Sequence, residues 1–520
     1  MRKRALLFRV AVLALSCLML LSMLPTVAGA SKETDTFIYA IEGDPGNDIN
    51  IIYTATRYDL MAERMVYSTL FDYYGNDDIV YMLAESHELS DDLKTVTVHL
   101  RKDVLWHDGE PFTADDVVFS YEMIMKYEHS NGYDTFVSNG KKTEIVKIDD
   151  YTVEFHFPVV NAAVLEMLVA EHYIMPKHIY EGDETVENNE KNAAPVGTGP
   201  YKWAEYKAGQ YVKFEANENY FLGEPKIGTI IFQVISDKNA VALALKKGEI
   251  DAMVVDNASA VDFEGSNVNV FAYPEDRVGY MSFNVSSEKV QDINFRKACM
   301  FALNRDELNV AAYLSEDFYV NAYSFLPAAA LFATDDVERY DQNLETAKEY
   351  LAKCDKVPDT LKIAFMTNNP VVETQALVIQ QNLKEIGVNV ELQATESNAL
   401  FDKMEDKNNT DYDMFLSGYI MGTDPLNYAT LFKTDSANNY SHMSDDRLDE
   451  LFAAGADETD IVKREAIYVE AQQRLADLAV QYPIVTNMRL LGVVNDVDGI
   501  DDARLIPIYT FQDMSKLYYK

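Results

Sequence analysis

The segment LRKDVLWHDGEPFTADDVVFSY, Leu100 to Tyr121, joins a strand end, a tight turn and a capped helix. Upstream, Val96, Val98 and Leu100 share one face of a run that starts at Lys94, with polar residues between them. That is the period of a half-buried strand. Asp108-Gly109-Glu110-Pro111 then supplies turn chemistry: Asp closes a turn through its side chain, Gly accepts positive φ, and Pro fixes the exit. Thr113 stands where an N-cap belongs, and Asp115 and Asp116 fall against the positive end of the helix dipole. Val117, Tyr121 and Ile124 continue at helical spacing. These residues shape a backbone, and nothing in them is arranged for bond-making.

Working outward, 520 residues exceed one ordinary core, so two or three lobes are expected. A mix of 48% hydrophobic and 25% charged residues is that of an ordered chain. Arg2, Lys3, Arg4 and Arg9 precede the apolar run Val10 to Leu24, and Ala28-Gly29-Ala30 follows. Residues 1–30 are therefore expected to be an export signal, placing the mature protein in the periplasm or on the outer face of the cell membrane. No later run approaches the roughly 18 apolar residues of a membrane span. A net charge of -40 argues against nucleic acid, which needs a basic footprint.

Cys299 and Cys354 both fall in segments that read as helices, which predicts buried thiols and no disulfide framework. The eight histidines are scattered at spacings that do not suit metal ligation, so neither a metal nor a cofactor is expected. HExxH, Gly-x-Ser-x-Gly, Walker and Gly-x-Gly-x-x-Gly patterns are absent, and the chain reads as a non-enzyme.

Two segments show strand–helix–strand logic. Gly228 to Val234 is strand-like, Asp237 can cap a helix that Gly248 stops, and Ile250 to Val255 resumes as a strand. Leu361 to Met366 is followed by a helix from Pro370, a left-handed cap at Gly387 and the alternating Val388, Val390 and Leu392. Parallel crossovers of this kind need covered sheets, so each implies an α/β lobe. Tyr151, Val153, Phe155 and Phe157 alternate as in a meander of a smaller α+β lobe. Phe295 to Asn309 and Lys463 to Leu478 read as amphipathic helices. With no low-complexity linker, the lobes are expected to be joined by ordered strands and to leave a cleft between them.

The best candidate for a binding site is DMFLSGYIMGTDPLNY, Asp413 to Tyr428. Gly422 and Pro425 break the strand, leaving Tyr419 and Asp424 near a strand C-terminal end, where open α/β sheets hold ligands. A carboxylate beside an aromatic ring suits an ammonium group. The alternative reading is a capped turn, with Asp424 bonded to its own backbone.

Further strings follow in order: VGTGPYKW (Val196 to Trp203), ENYFLGEPKI (Glu218 to Ile227), LALKKGEIDA (Leu243 to Ala252), YMSFNV (Tyr280 to Val285) and NFRKACMFALNRDEL (Asn294 to Leu308). Together with the opening segment, the chain resembles the extracellular solute-binding proteins of family 5, receptors for dipeptide, oligopeptide and nickel ABC importers. The resemblance implies a large α/β periplasmic-binding-protein-like fold, with two α/β lobes around a ligand cleft plus an extra α+β domain. Domain I would be 31–57, 195–277 and 487–520; domain II, 58–194; domain III, 278–486. The implied activity is capture of a short peptide or other small molecule by hinge closure. Its implied partner is the cognate permease in the cytoplasmic membrane, with the receptor a monomer that binds no nucleic acid. Nickel or metal chelate, haem and oligosaccharide are the rival ligands, and a secreted hydrolase is the rival class.

GYIMGTDPLNY resembles the family's Gly-Trp-x-x-Asp-x-x-Asp-Pro region, with Tyr419 at the Trp position. The family's ammonium-binding Asp has no counterpart: Met421 or Gly422 falls near it, leaving Asp424 as the nearby carboxylate. Arg277 and Tyr280 fall where relatives cross between domains and contact ligand. Arg277 suits a peptide carboxylate or a pairing with Glu275 or Asp276.

Overall fold

The computed structural model describes residues 35–53, 56–73, 79–138, 140–160, 164–169 and 172–520; the expected signal, 1–30, lies outside them. Strand β1 (Thr36–Ile41) is buried at every residue, as a strand covered on both faces must be. The segment that opens the sequence argument folds as read. Strand β2 (Thr95–Leu100) alternates half-buried and buried residues, and helix α1 (Ala114–Ile124) starts at Thr113. The Thr113 hydroxyl accepts the Asp115 N–H at 3.3 Å, while the Asp116 carboxylate accepts the Thr113 N–H at 2.9 Å. The two bonds satisfy opposite sides of the helix end. With strand β3 (Thr152–His156), β2 lies inside a four-stranded antiparallel sheet, flanked by Ala84–Leu89 and Glu144–Asp149.

The turn between β2 and α1 is fastened to the glycine-rich string. The His107 N–H donates to the Gly197 carbonyl at 2.8 Å, and the Gly197 N–H donates to His107 Nδ1 at 3.2 Å. The imidazole proton therefore sits on Nε2, which donates to the Gly199 carbonyl at 3.0 Å. Behind the string, the Gly199 N–H donates to the Val66 carbonyl at 2.7 Å, and a Cβ on Gly197 would stand 1.8 Å from that same oxygen. Only glycine permits so close a backbone approach. Burial pushes the His107 pKa down to about 4.

The larger sheet begins with strand β4 (Thr229–Val234), helix α2 (Lys238–Lys247) and strand β5 (Ala252–Val255). Asp237 caps α2, and Gly248 closes it at φ +69°. β1 lies between β4 and β5 and is parallel to both. Helix α3 (Asn257–Asp262) follows, capped by Asp256, whose carboxylate accepts the Ser259 N–H at 2.7 Å.

The 16-residue strand β6 (Val268–Phe283) then leaves this lobe and enters the next. Here the single helix expected over Phe295 to Asn309 is two: α4 (Ile293–Ala302) and α5 (Arg305–Tyr313). They are separated because Asn304 caps α5, its side chain accepting the Glu307 N–H at 3.0 Å. Arg305 is held between the Tyr323 and Tyr482 rings at 4.5 and 4.4 Å. Cys299 is buried in α4 as expected, whereas Cys354, also expected to be a buried helical thiol, is half-buried and lies beyond the end of the helix Leu344–Leu351.

Strand β7 (Thr360–Met366), helix α6 (Pro370–Glu385) and strand β8 (Asn389–Thr395) form the second parallel crossover. Strand β9 (Met414–Tyr419) adds parallel to β7. Helix α7 (Ile461–Leu478) leads into strand β10 (Gln481–Val494), which returns to the first lobe. Among the described residues one sheet of eleven strands results. Its order is Tyr201–Lys207, Tyr211–Ala216, β4, β1, β5, β10, β6, β9, β7, β8, with Tyr319–Asn321 added on β10. The hydrophobic interior is interrupted across this sheet. One core reaches Tyr273 on β6 and resumes at Leu490 on β10; two others lie on opposite faces of the β6–β9–β7 region and involve β6 from Val278 onward. No helix among the described residues is long and apolar enough to cross a membrane.

The His107 contacts set a pH dependence. The folded state holds its pKa near 4, below the ordinary 6.5. Between those values the unfolded chain binds a proton that the folded chain does not. The contribution is complete above pH 6.5 and shrinks as pH falls from 6.5 toward 4. Urea unfolding should lose about 3 kcal/mol to this group over that window. In His107→Gln, whose amide also donates and accepts, that part of the slope should vanish; an unchanged slope contradicts the assignment.

Candidate functional site

The parallel strands β1, β4 and β5 end together, and the N-termini of α2 and α3 rise from the same edge. Open parallel sheets gather their ligand crevices at such ends. A pocket of about 260 Å³ lies there, lined among others by Ile41, Glu42, Lys238, Asp256, Glu275 and Arg489. Glu42 and Lys238 form an exposed pair at 3.5 Å. Glu275 and Arg489 belong to β6 and β10, so the pocket abuts the crossing between the lobes. Across it, Asn257 Nδ2 on α3 donates to the Ala312 carbonyl on α5 at 3.5 Å.

The crossing itself is irregular. Pairing runs from Val268 opposite Val494 to Pro274 opposite Met488, then resumes with Val278 opposite Thr486. Glu275, Asp276 and Arg277 thus face Asn487 alone, and Asp276 takes φ +56° to accommodate the extra chain. Glu275 gathers the local cations: its carboxylate accepts from Asn487 Nδ2 at 2.5 Å and Arg489 Nη1 at 3.4 Å, with Arg57 Nη2 at 3.6 Å. Asp276 Oδ1, Asn487 Oδ1 and Arg489 Nε are buried with no hydrogen-bond partner among the described residues. Burial, and behind it the charge on Glu275, raise the Asp276 carboxyl above its ordinary value.

The residues singled out in the sequence are not brought together as one site. Tyr419 is 8% exposed and Tyr280 5%, and their rings meet 5.1 Å apart inside the core between the sheet and its outer helices. The Tyr419 hydroxyl donates to the Phe325 carbonyl at 2.9 Å. Burial holds both phenols well above their usual pKa, so they stay neutral. Asp424 corrects the ammonium expectation. Its two oxygens accept from Arg464 Nη1 and Nη2 at 2.8 and 2.7 Å, and Oδ1 also accepts the Leu426 N–H at 2.8 Å. With side chains 4% and 2% exposed, the pair is closed to a ligand and its charge is already met. The capped-turn alternative is the geometry found.

Arg277 stands apart. No carboxylate among the described residues lies within ion-pair distance of it, because Glu275 is committed elsewhere. Sequence reasoning missed the roles of Glu275, Asn487 and Arg489 and the pocket edge formed by Glu42, Lys238 and Asp256. The charged run Glu275-Asp276-Arg277 interrupting a strand was the available signal for a bulge. No group of three or more His, Cys, Asp or Glu is placed to hold a metal among the described residues.

Comparison with known proteins adds the wider context. The model of the bacterial extracellular solute-binding proteins, family 5, matches residues 78–440. The chain is similar to the ABC transporter substrate-binding protein CtaP of Listeria monocytogenes, with 37% identity, 94% of this chain and 100% of that one covered, and a TM-score of 0.88. It is also similar to a putative peptide-binding protein AppA of Clostridium difficile, with 33% identity, 93% and 100% coverage and a TM-score of 0.84. The oligopeptide-binding protein AppA of Bacillus subtilis is 28% identical over 510 residues, covering 90% of this chain and 92% of that one. Its structure holds a nonapeptide and superposes with a TM-score of 0.69 at 25% identity, covering 93% and 99% of the two chains.

The Asp424–Arg464 geometry makes a prediction about stability. Asp424→Asn leaves Arg464 buried without a counter-charge, so urea unfolding should show a loss of about 3–5 kcal/mol. The double variant Asp424→Leu, Arg464→Met should recover most of it. A single variant as stable as the parent would show that the pair carries little.

Proposed function

This chain belongs to the bacterial extracellular solute-binding proteins of family 5, and on that footing we propose that it captures short peptides outside the cytoplasm for an ABC importer. The observation that supports the reading most is the pocket at the ends of β1, β4 and β5, set beside the two strands that cross between the lobes. A guest seated there rests on the first lobe beside the crossing, and binding would favour a closed arrangement if the second lobe added contacts to it on closing. Neutral and charged groups of both signs line the pocket, as a peptide with an ammonium and a carboxylate requires. The names of the similar proteins from Clostridium difficile and Bacillus subtilis agree with this choice of ligand.

The working division is the one expected from the sequence: a discontinuous first lobe (31–57, 195–277, 487–520), an α+β domain (58–194) and a second α/β lobe (278–486). In this reading the chain acts as a monomer, meets a permease of the cytoplasmic membrane, and carries out no chemistry on its guest.

A random tripeptide library offered to the purified protein and read by native mass spectrometry tests the proposal. The expected result is retention of intact tripeptides, with a rise in Tm as the bound state is populated. Retention of no peptide, or recovery of hydrolysed products, would overturn it. A metal chelate or oligosaccharide carried through purification would redirect the ligand assignment within the family.

A further inference from the structure

On the two-lobe receptor reading above, we propose that Asn257 and the apolar side chains beside it form a rim latch, which seats α3 of the first lobe on α5 of the second when a guest is held. Asp256 caps α3 and Ser259 lies in its first turn, and both line the pocket. Asn257, between them in sequence, reaches to the other lobe: its Nδ2 donates to the Ala312 carbonyl at 3.5 Å. That carbonyl belongs to the last turn of α5, where a helix supplies no donor of its own. One short helix therefore walls the pocket and also touches the opposite lobe, away from the β6–β10 ribbon.

The side chains around this bond identify what covers them. Val261 stands one turn beyond Asn257, on the same face of α3, and is 45% exposed. Val310 and Leu314 bracket Ala312 in sequence, one helical turn apart, and are 41% and 53% exposed. Leu314 is unfavourable on two counts. It closes α5 in the left-handed conformation, φ +69°, where glycine or asparagine is usual, and it leaves a large apolar side chain in water. A backbone outlier of this kind points to a place where function outweighs local stability. The Asn257 bond already brings α3 to that end of α5, so the occupant is the facing helix of the same chain. A closer approach of the two helices seats Val261 against Val310 and Leu314 and takes all three out of water. A guest packed against Asp256 and Ser259 steadies α3 for that approach.

The test uses the full chain with Cys17→Ser and Cys354→Ser, which leaves the fully buried Cys299 as the native thiol. Val261→Cys is combined with Leu314→Cys, and separately with Val310→Cys. Intramolecular disulfide formation is timed under oxidised glutathione, with a Tm close to that of the parent as the check on folding. At least one pairing should cross-link, and a random tripeptide library should speed the reaction about 5-fold or more as the closed population grows. Asn257→Ala should slow the peptide-free reaction about 5-fold, the scale of one net hydrogen bond. Asn257→Asp, which cannot donate to the carbonyl, should do the same. No cross-link in either pairing, a rate untouched by both Asn257 variants, or retained tripeptides that leave the rate unchanged would overturn the latch. Retention of tripeptides by the same chain in native mass spectrometry would then leave the peptide receptor standing. A cross-link that responds to Asn257→Ala in a chain retaining no tripeptide would support the latch and overturn the choice of peptide as guest.

Discussion

Two strands, β6 and β10, run antiparallel through both lobes, and the rest of the molecule is arranged around that pairing. Each lobe builds its own α/β layers on one end of the ribbon: β5 on β10 in the first, β9 on β6 in the second. The ladder of hydrogen bonds keeps the lobes from drifting apart. Its interruption at Glu275–Arg277 concentrates bending where the hydrophobic cores also stop. A bulge there bends and twists the strand without cutting the chain loose. The same interruption places Glu275 beside the pocket at the ends of the first lobe's parallel strands.

Much of the fold can be read locally because its signals act over a few residues. Thr113 followed by two acids names a helix start, and Gly248 and Gly387 take the positive φ that their helix ends require. The long apolar strands and the stop signals after them locate both crossovers. The break between α4 and α5 was legible too, since Asn304 with Glu307 three residues on is a capping pattern; a continuous apolar stripe hid it.

The site was far less legible. Asp424 looked like a ligand group because its partner, Arg464, is 40 residues away and nothing local announces it. Tyr280 shares a strand with Arg277 and Tyr419 lies on the strand paired with it, yet the direction of each side chain depends on which helices cover which face. A strand's period of two says that neighbours point oppositely, not which side holds the core. Glu275 shows the same limit: its three cationic or amide partners come from residues 57, 487 and 489, and only folding reveals that they meet its charge.

The position of β10 has a consequence for how the chain matures. It sits between β5 and β6 and supports Tyr319–Asn321, yet it spans residues 481–494 of 520. A ribosome delivering this polypeptide in order therefore finishes nine-tenths of it before either half can complete its sheet. Such distant pairings make assembly slow, since the loop must close before the contact rewards it. The large sheet thus stays incomplete until residues 481–494 are made, whereas the four-stranded sheet within residues 84–156 can close without them.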